Sequence, residues 1–259
     1  MTPLSFVPSP GAAPMPRMLR AQAGMELRMS LRQGEQVTLT LVLPVLLALA
    51  LVLTSVVDVA DAGTGRAQRA DFFLPGVLAL AVVSTAFTGQ AIATGFERKY
   101  GVLKRLGATA MPRAVLLGGK TLAVLGVIAV QLVLLSLLGL ALGWRPQGPL
   151  VGAVVVIALG TAAFSALGLL LAGTVRAEAT LAAANLVWFL LLVLGGLLVP
   201  AERLGVAGSL LGLLPSAALA DGLRAVLTDG ALLPVGPVLV LLVWTTAAAL
   251  AAGRWFRWE

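Results

Sequence analysis

Long uncharged apolar runs dominate this sequence and constrain what it can fold into. Six of them have the length of a membrane-crossing helix: residues 38–57, 72–96, 121–144 (reaching back to about 114), 149–175, 179–200 and 230–253. A helix needs about 20 mostly apolar residues to cross a hydrocarbon core of roughly 30 Å. Only 11% of the 259 residues are charged and 59% are hydrophobic. A soluble domain carries about 25% charged residues, so this chain has too little polar surface to cover a globule in water. The expected fold is an all-α polytopic membrane protein. It has six transmembrane helices, over about 38–57, 72–96, 114–144, 149–175, 179–200 and 230–253, in a single domain over 17–259, with both termini on one side.

The Lys and Arg residues orient it. Cytoplasmic connections carry the excess of basic residues. With the N-terminus inside, thirteen of the eighteen Lys and Arg residues fall on the cytoplasmic side and five on the other. Both termini are therefore expected in the cytoplasm. The net charge of +7 reads as basic cytoplasmic loops rather than as a nucleic-acid surface. Arg far outnumbers Lys, and with abundant Ala, Leu and Gly this points to a bacterial, GC-rich source.

A seventh apolar run, 204–220, is too short and too broken to span. It contains Gly205, Gly208, Gly212 and Pro215, and Asp221 and Arg224 follow it. It reads as a re-entrant or interfacial pair of half-helices on the outer face, since irregular backbone survives at membrane depth only where protein or a cavity shields it. The alternative is a loop helix lying on the membrane surface. At the other end of the chain, residues 1–16 hold five prolines and are expected to be a disordered tail. Residues 17–33 read as a helix that is apolar on two sides, with Met18, Met25 and Met29 on one stripe, Leu27 and Leu31 opposite, and Arg28 and Arg32 between. Such a helix suits the boundary between bilayer interface and protein, or is an ordinary juxtamembrane helix with snorkelling arginines.

The chemistry open to the chain is narrow. It has no Cys and no His, which excludes disulfides, thiolate catalysis and imidazole bases or metal ligands. No acidic or basic residue lies at the centre of a span, where such residues mark proton relays and ion-coupled sites. Gln90 and Asn185 are the candidate substrate-path residues, because an amide in hydrocarbon most needs a partner; plain interhelical hydrogen bonding is the alternative. The stretch from Ala114 to Thr121, with Gly118-Gly119-Lys120, has the outline of a phosphate-binding loop. That loop needs a preceding strand and a soluble helix, so nucleotide binding is not expected there, and Lys120 is read as an anchor for the third span.

The segment between spans two and three is the most informative. It carries Glu97, Arg98, Gly101, Val102, Leu103, Lys104, Arg105 and Leu106, then Pro112. Read as a helix, it places Val102, Leu103 and Leu106 on one side and Glu97, Lys104 and Arg105 on the other, with Gly101 and Gly107 bracketing it and Pro112 stopping it before the next span. A short charged helix with an apolar ridge suits docking into a cytoplasmic partner, against the alternative of a solvated basic loop.

Three stretches then occur in order. Glu97, Arg98, Gly101, Leu103, Lys104 and Leu106 follow the second span, with Lys120 before the third. Arg32-Gln33-Gly34-Glu35 precedes the first span, which contains Pro44. Pro200, Leu214-Pro215, Asp221 and Arg224 follow the fifth. In these the chain resembles the membrane subunit of bacterial ABC transporters of the type-2 permease family. These are the type V exporters, which include daunorubicin-type drug-resistance permeases and nodulation-type oligosaccharide permeases. Gly34 stands where that family commonly has Pro.

The resemblance implies a permease of an ATP-driven exporter in the bacterial inner membrane. Its path is formed with a second permease copy, in a homodimer or a heterodimer, and two separate cytoplasmic ATPase subunits drive it. The subunit itself is not catalytic and binds no cofactor, since ATP and Mg belong to the ATPase. Residues Glu97, Arg98, Gly101, Val102, Leu103, Lys104 and Leu106 would form the ATPase-coupling helix. The interface helix would carry Arg28, Arg32 and Glu35, and the re-entrant outer segment Pro200, Pro215, Asp221 and Arg224. The competing readings are a mechanotransmission-type permease, which usually has four spans and a large outer domain, and a non-transporting assembly or immunity factor. Drug, lipid, glycan and peptide cargo all fit uncharged walls.

Overall fold

Glycine and proline set where the helices begin and end. In the computed structural model, residues 13–32, 34–54, 64–109, 111–197 and 211–257 are described, with side chains at all of these except 34–39 and 194. The elements are α1 (Met15–Arg32), α2 (Gly34–Leu53), α3 (Arg66–Val83), a π-helical turn (Ser84–Gly89), α4 (Gln90–Lys99), α5 (Val102–Gly107), α6 (Arg113–Leu142), α7 (Leu150–Thr174), α8 (Ala177–Leu194), α9 (Pro215–Leu227) and α10 (Val235–Trp255). No strand occurs among the described residues. Pro16, Pro112, Pro149 and Pro215 sit at helix starts, where the missing N–H costs nothing.

Among the described residues, four segments are long and apolar enough to cross a membrane: Arg66–Lys99, Arg113–Leu142, Leu150–Thr174 and Val235–Trp255. Thr40–Leu53 and Ala177–Val193 are shorter apolar helices. The expected boundaries shift accordingly. The second span is longer than 72–96, because α3, the π turn and α4 form one continuous helix. The fifth ends at Leu194 rather than 200, before Gly195 and Gly196. The sixth starts at Val235 rather than 230, after Pro234.

Arg66–Lys99 is the hub. In its apolar stretch 78% of the residues are buried inside the protein, against 17% for α10. Around it pack α2, α6, α7, α8 and α9, and α10 lies against α7. The core runs through Phe73, Leu74, Val77, Leu80 and Val83 to Phe164 of α7 and Leu219 and Leu223 of α9. Outward-facing Val133, Leu137 and Leu140 of α6 and Leu239, Val243 and Leu250 of α10 are exposed. Apolar surface this extensive belongs against lipid or another protein, not water.

At one end of the bundle α9 is wedged among α3, α7 and α10. Only part of the seventh run is described: its earlier half and Pro200 lie outside the described residues. The later half is helical from Pro215 and continues to Leu227. Asp221 and Arg224 therefore lie inside this helix rather than after it. Arg224 pairs with Asp221 at 2.8 Å and donates to the Leu197 carbonyl at 2.8 Å. Nearby, Arg69 is buried one turn into α3 and donates to the Leu51 carbonyl at 2.7 and 2.9 Å. A guanidinium suits the C-terminal carbonyls of a helix, and this contact closes the end of α2.

The opposite end gathers α1, α5 and the chain's last described residues. Phe256 meets Leu103, Leu116 and Leu169 there, and α1 lies along α6. Helix α1 begins at Met15. The tail expected over 1–16 falls outside the described residues up to 12, and its last two residues are already helical.

Candidate functional site

A groove of glycines on α6 decides where α1 lies. A Cβ on Gly119 would stand 2.5 Å from Gln22 Cγ, one on Gly118 3.1 Å from Leu19, and one on Gly126 3.1 Å from Leu27. Small residues let helices approach this closely. The stretch with a phosphate-loop outline is thus a regular turn of helix from Arg113 onward, and its glycines receive α1.

That approach brings three charges together. Lys120 Nζ lies 3.0 Å from Glu26 Oε1 of α1 and 2.6 Å from Glu97 Oε2 of α4. Gln22 Nε2 donates to Glu26 at 2.8 Å. Lys120 is only 4% exposed and lies in the third turn of α6. Lys120 in α6 and Arg69 in α3 are buried within helices, but both lie near the helix starts and neither stands at the centre of a membrane-length segment. The expectation for Glu97 is corrected, because it faces the bundle interior and not the projecting side of a docking helix.

The three charges form one wall of a cavity of about 110 Å³. Thr40, Thr85, Gln90, Thr94, Ala93, Val124 and Val127 also line it. Beside it three separate sets of hydrogen bonds join neighbouring helices. Ser165 of α7 donates to Gln90 Oε1 at 2.7 Å. Thr85 donates to Gln131 Oε1 at 2.8 Å, and Gln131 Nε2 donates to the Thr40 carbonyl at 2.8 Å. Trp188 Nε1 donates to Ser84 Oγ at 2.8 Å. Ser84 and Thr85 belong to the π turn, a widened turn that often marks a functional position. Of the two expected path residues, Gln90 lines this cavity. Asn185 does not: it is exposed on α8 and donates to Leu181 of its own helix.

The expected docking helix is two pieces. Tyr100 closes α4, and Gly101 takes φ 72°, a left-handed value that favours glycine. The short helix α5 then starts at Val102. Arg98 and Lys99 thus belong to the long helix: Arg98 donates to the Val175 carbonyl, and Lys99 pairs with Glu178. Leu103 is fully buried against Leu116, Leu169 and Phe256, with Leu106 packed beside it, while Val102 is exposed. The expected shared ridge of Val102, Leu103 and Leu106 is therefore split. The outward surface is Tyr100, Val102, Lys104 and Arg105.

On α1, Arg28 and Arg32 are exposed and line a groove with Arg20, Met25 and Met29. Glu35 lies in the first turn of α2, and its side chain is outside the described residues. Glu26, Lys120 and Thr94 are the site residues that the sequence reading missed. One signal was available: a Lys well inside an apolar helix must find a carboxylate.

The sequence model of the ABC-2 type transporter family matches residues 25–228. That range takes in the cavity, α5 and α9. No curated protein matches the chain.

Proposed function

The chain belongs to the ABC-2 type transporter family, and from that premise we propose that it is the permease half of an ATP-driven exporter in a bacterial inner membrane. It is a multi-pass transmembrane transport component and not a catalytic one. Two copies form the path, and two separate cytoplasmic ATPase subunits supply ATP and Mg. The spans are α2, Arg66–Lys99, α6, α7, α8 and α10, with both termini in the cytoplasm. Pro215, Asp221 and Arg224 belong to α9, which lies on the outer face as part of a re-entrant segment, and Pro200 lies outside the described residues.

One observation carries the coupling reading: α5 is rigidly seated yet exposes a compact basic surface. Leu103 anchors it from below, Gly101 gives it a sharp entry, and Glu97 and Arg98 brace its base against α6 and α7. Tyr100, Val102, Lys104 and Arg105 then meet the ATPase. The interface helix α1, with Arg28 and Arg32, flanks that contact. ATP-driven closure of the ATPase pair moves α5 as a unit, and its brace transmits the motion to the long helix. Bistable packed elements amplify small shifts in this way. Gln90 lines the path within each copy, and Asn185 lines it where α8 meets the second copy.

The test is co-expression with candidate cytoplasmic ABC ATPases of the same organism. We expect the two proteins to copurify and the permease to alter ATP hydrolysis. The double variant Lys104→Glu/Arg105→Glu should lose both effects while keeping wild-type thermal stability. Unchanged copurification and hydrolysis in that variant overturn the docking claim.

A further inference from the structure

The Glu26–Lys120–Glu97 cluster holds more acids than bases. Two carboxylates face one ammonium, which leaves one carboxylate without a cation of its own in the wall of a cavity of about 110 Å³. Two further polar atoms in that wall lack a partner. Gln90 is 5% exposed and Thr94 1%, and Gln90 Nε2 and Thr94 Oγ1 make no hydrogen bond among the described residues. Both line the cavity. A buried donor without a partner is costly, so a ligand that satisfies it binds more tightly than one that does not.

These groups define a ligand. The uncompensated carboxylate calls for a cation. The Gln90 N–H calls for an acceptor close to that cation, and the Thr94 hydroxyl can take either role. Lys120 is already held by both carboxylates and does not attract an anion. The remaining wall, with Ala93, Val124 and Val127, is apolar and suits an alkyl stem. The space holds a small head group, since a site enclosing a whole drug-sized ligand is about 300–1,000 Å³.

We infer that this cavity is a cargo subsite that binds the protonated amine of an amphiphile bearing a neighbouring oxygen, as in an amino alcohol. The ammonium pairs with Glu26 and Glu97, the oxygen accepts from Gln90 Nε2, and the apolar stem lies along α6. This rests on reading the chain as an exporter permease, and it replaces the expectation that uncharged walls leave cargo charge unspecified.

The test is equilibrium binding to the full chain in lipid nanodiscs, with empty nanodiscs subtracted. The probes are N-dodecylethanolamine, dodecylamine, dodecanol and dodecanoate. N-dodecylethanolamine should bind at least about tenfold more tightly than dodecanol or dodecanoate, the scale of one partly screened charge pair. Glu26→Gln and Glu97→Gln should each remove most of that advantage and leave dodecanol unchanged. Gln90→Leu should erase the preference for N-dodecylethanolamine over dodecylamine. Equal affinity for all four probes overturns the inference on wild-type protein alone, even if no variant folds. Wild-type affinity in both Glu variants also overturns it. Persistence of the ethanolamine preference in Gln90→Leu overturns the assignment of the oxygen to Gln90. Binding needs no ATPase, so failure here leaves the docking test standing, and failure of docking leaves this result readable.

Discussion

The Lys120 ammonium lies 2.6 Å from the Glu97 carboxylate and joins the third turn of α6 to the end of the long helix. Glu97 stands three residues before the break at Tyr100 and Gly101. The pair therefore fixes the base from which α5 projects. Glu26 pairs with the same ammonium at 3.0 Å, which adds α1 to the junction. A single Lys thus joins α1, α4 and α6 at this end of the bundle.

Removing that Lys should cost more than removing either acid. Lys120→Met leaves two carboxylates facing each other across a buried site, and breaking a buried pair costs about 3–5 kcal/mol. Glu97 is a quarter exposed, so the loss should fall near the lower figure. Glu26→Gln leaves the Lys120–Glu97 pair intact and should cost about 1 kcal/mol. Denaturation in mixed detergent micelles measures both. A Lys120→Met loss no larger than that of Glu26→Gln would show that the cluster does not hold the junction.

Gly119 should tolerate almost nothing larger. A Cβ there meets Gln22 Cγ at 2.5 Å and Cβ at 2.9 Å, with the Ala23 backbone nitrogen at 3.4 Å. Gly119→Ala must push α1 outward, and overpacking of this kind costs about 1–3 kcal/mol. Gly253→Ala, where a Cβ meets nothing within 4 Å, should be neutral or slightly stabilising through helix propensity. Proteolysis of α1 in the two variants gives a second readout: faster cleavage is expected for Gly119→Ala only.

The helix bundle was legible because apolar runs and prolines report on local structure. What the sequence did not reveal was which face each residue takes. Val102 and Leu103 are neighbours, and the helical reading put both on one ridge. Successive residues stand about 100° apart around a helix, and α5 turns Leu103 inward and leaves Val102 exposed. Glu97 looked like a surface charge because its partner Lys120 lies 23 positions on in another helix, and no local pattern links them. Asn185 and Gln90 are both amides in apolar helices, yet only Gln90 faces the interior. Periodicity in a uniformly apolar helix carries almost no facial information.

The π turn should depend on Gln131. Its amide accepts from Thr85 at 2.8 Å and donates to the Thr40 carbonyl of α2 at 2.8 Å. Interhelical hydrogen bonds in membranes are worth about 0.6 kcal/mol on average and up to about 1.7. Gln131→Met keeps the volume and removes both, so a loss of about 1–2 kcal/mol is expected in the same micellar denaturation. Asn185→Leu, which gives up only a bond within its own helix, should cost less. Equal losses would mean that the bridge from Thr85 to Thr40 contributes nothing beyond a local contact.

Val102 and Leu103 offer the sharpest separation of docking from folding. Leu103 is fully buried against Leu116, Leu169 and Phe256, and Leu→Ala at such a site costs about 2–5 kcal/mol. Leu103→Ala should lower thermal stability and loosen α5. Any loss of ATPase stimulation should follow from that loosening, and cooling should partly restore it. Val102 is exposed at 39%, and surface changes of this kind stay within about 0.5 kcal/mol. Val102→Ala should therefore keep wild-type stability while weakening copurification with the ATPase. Val102→Asp should abolish it, because a charge would enter an apolar contact. If Val102→Asp copurifies as wild type does, the exposed tip of α5 is not the docking surface. The basic stripe of α1, with Arg20, Arg28 and Arg32, would then be the surface to test.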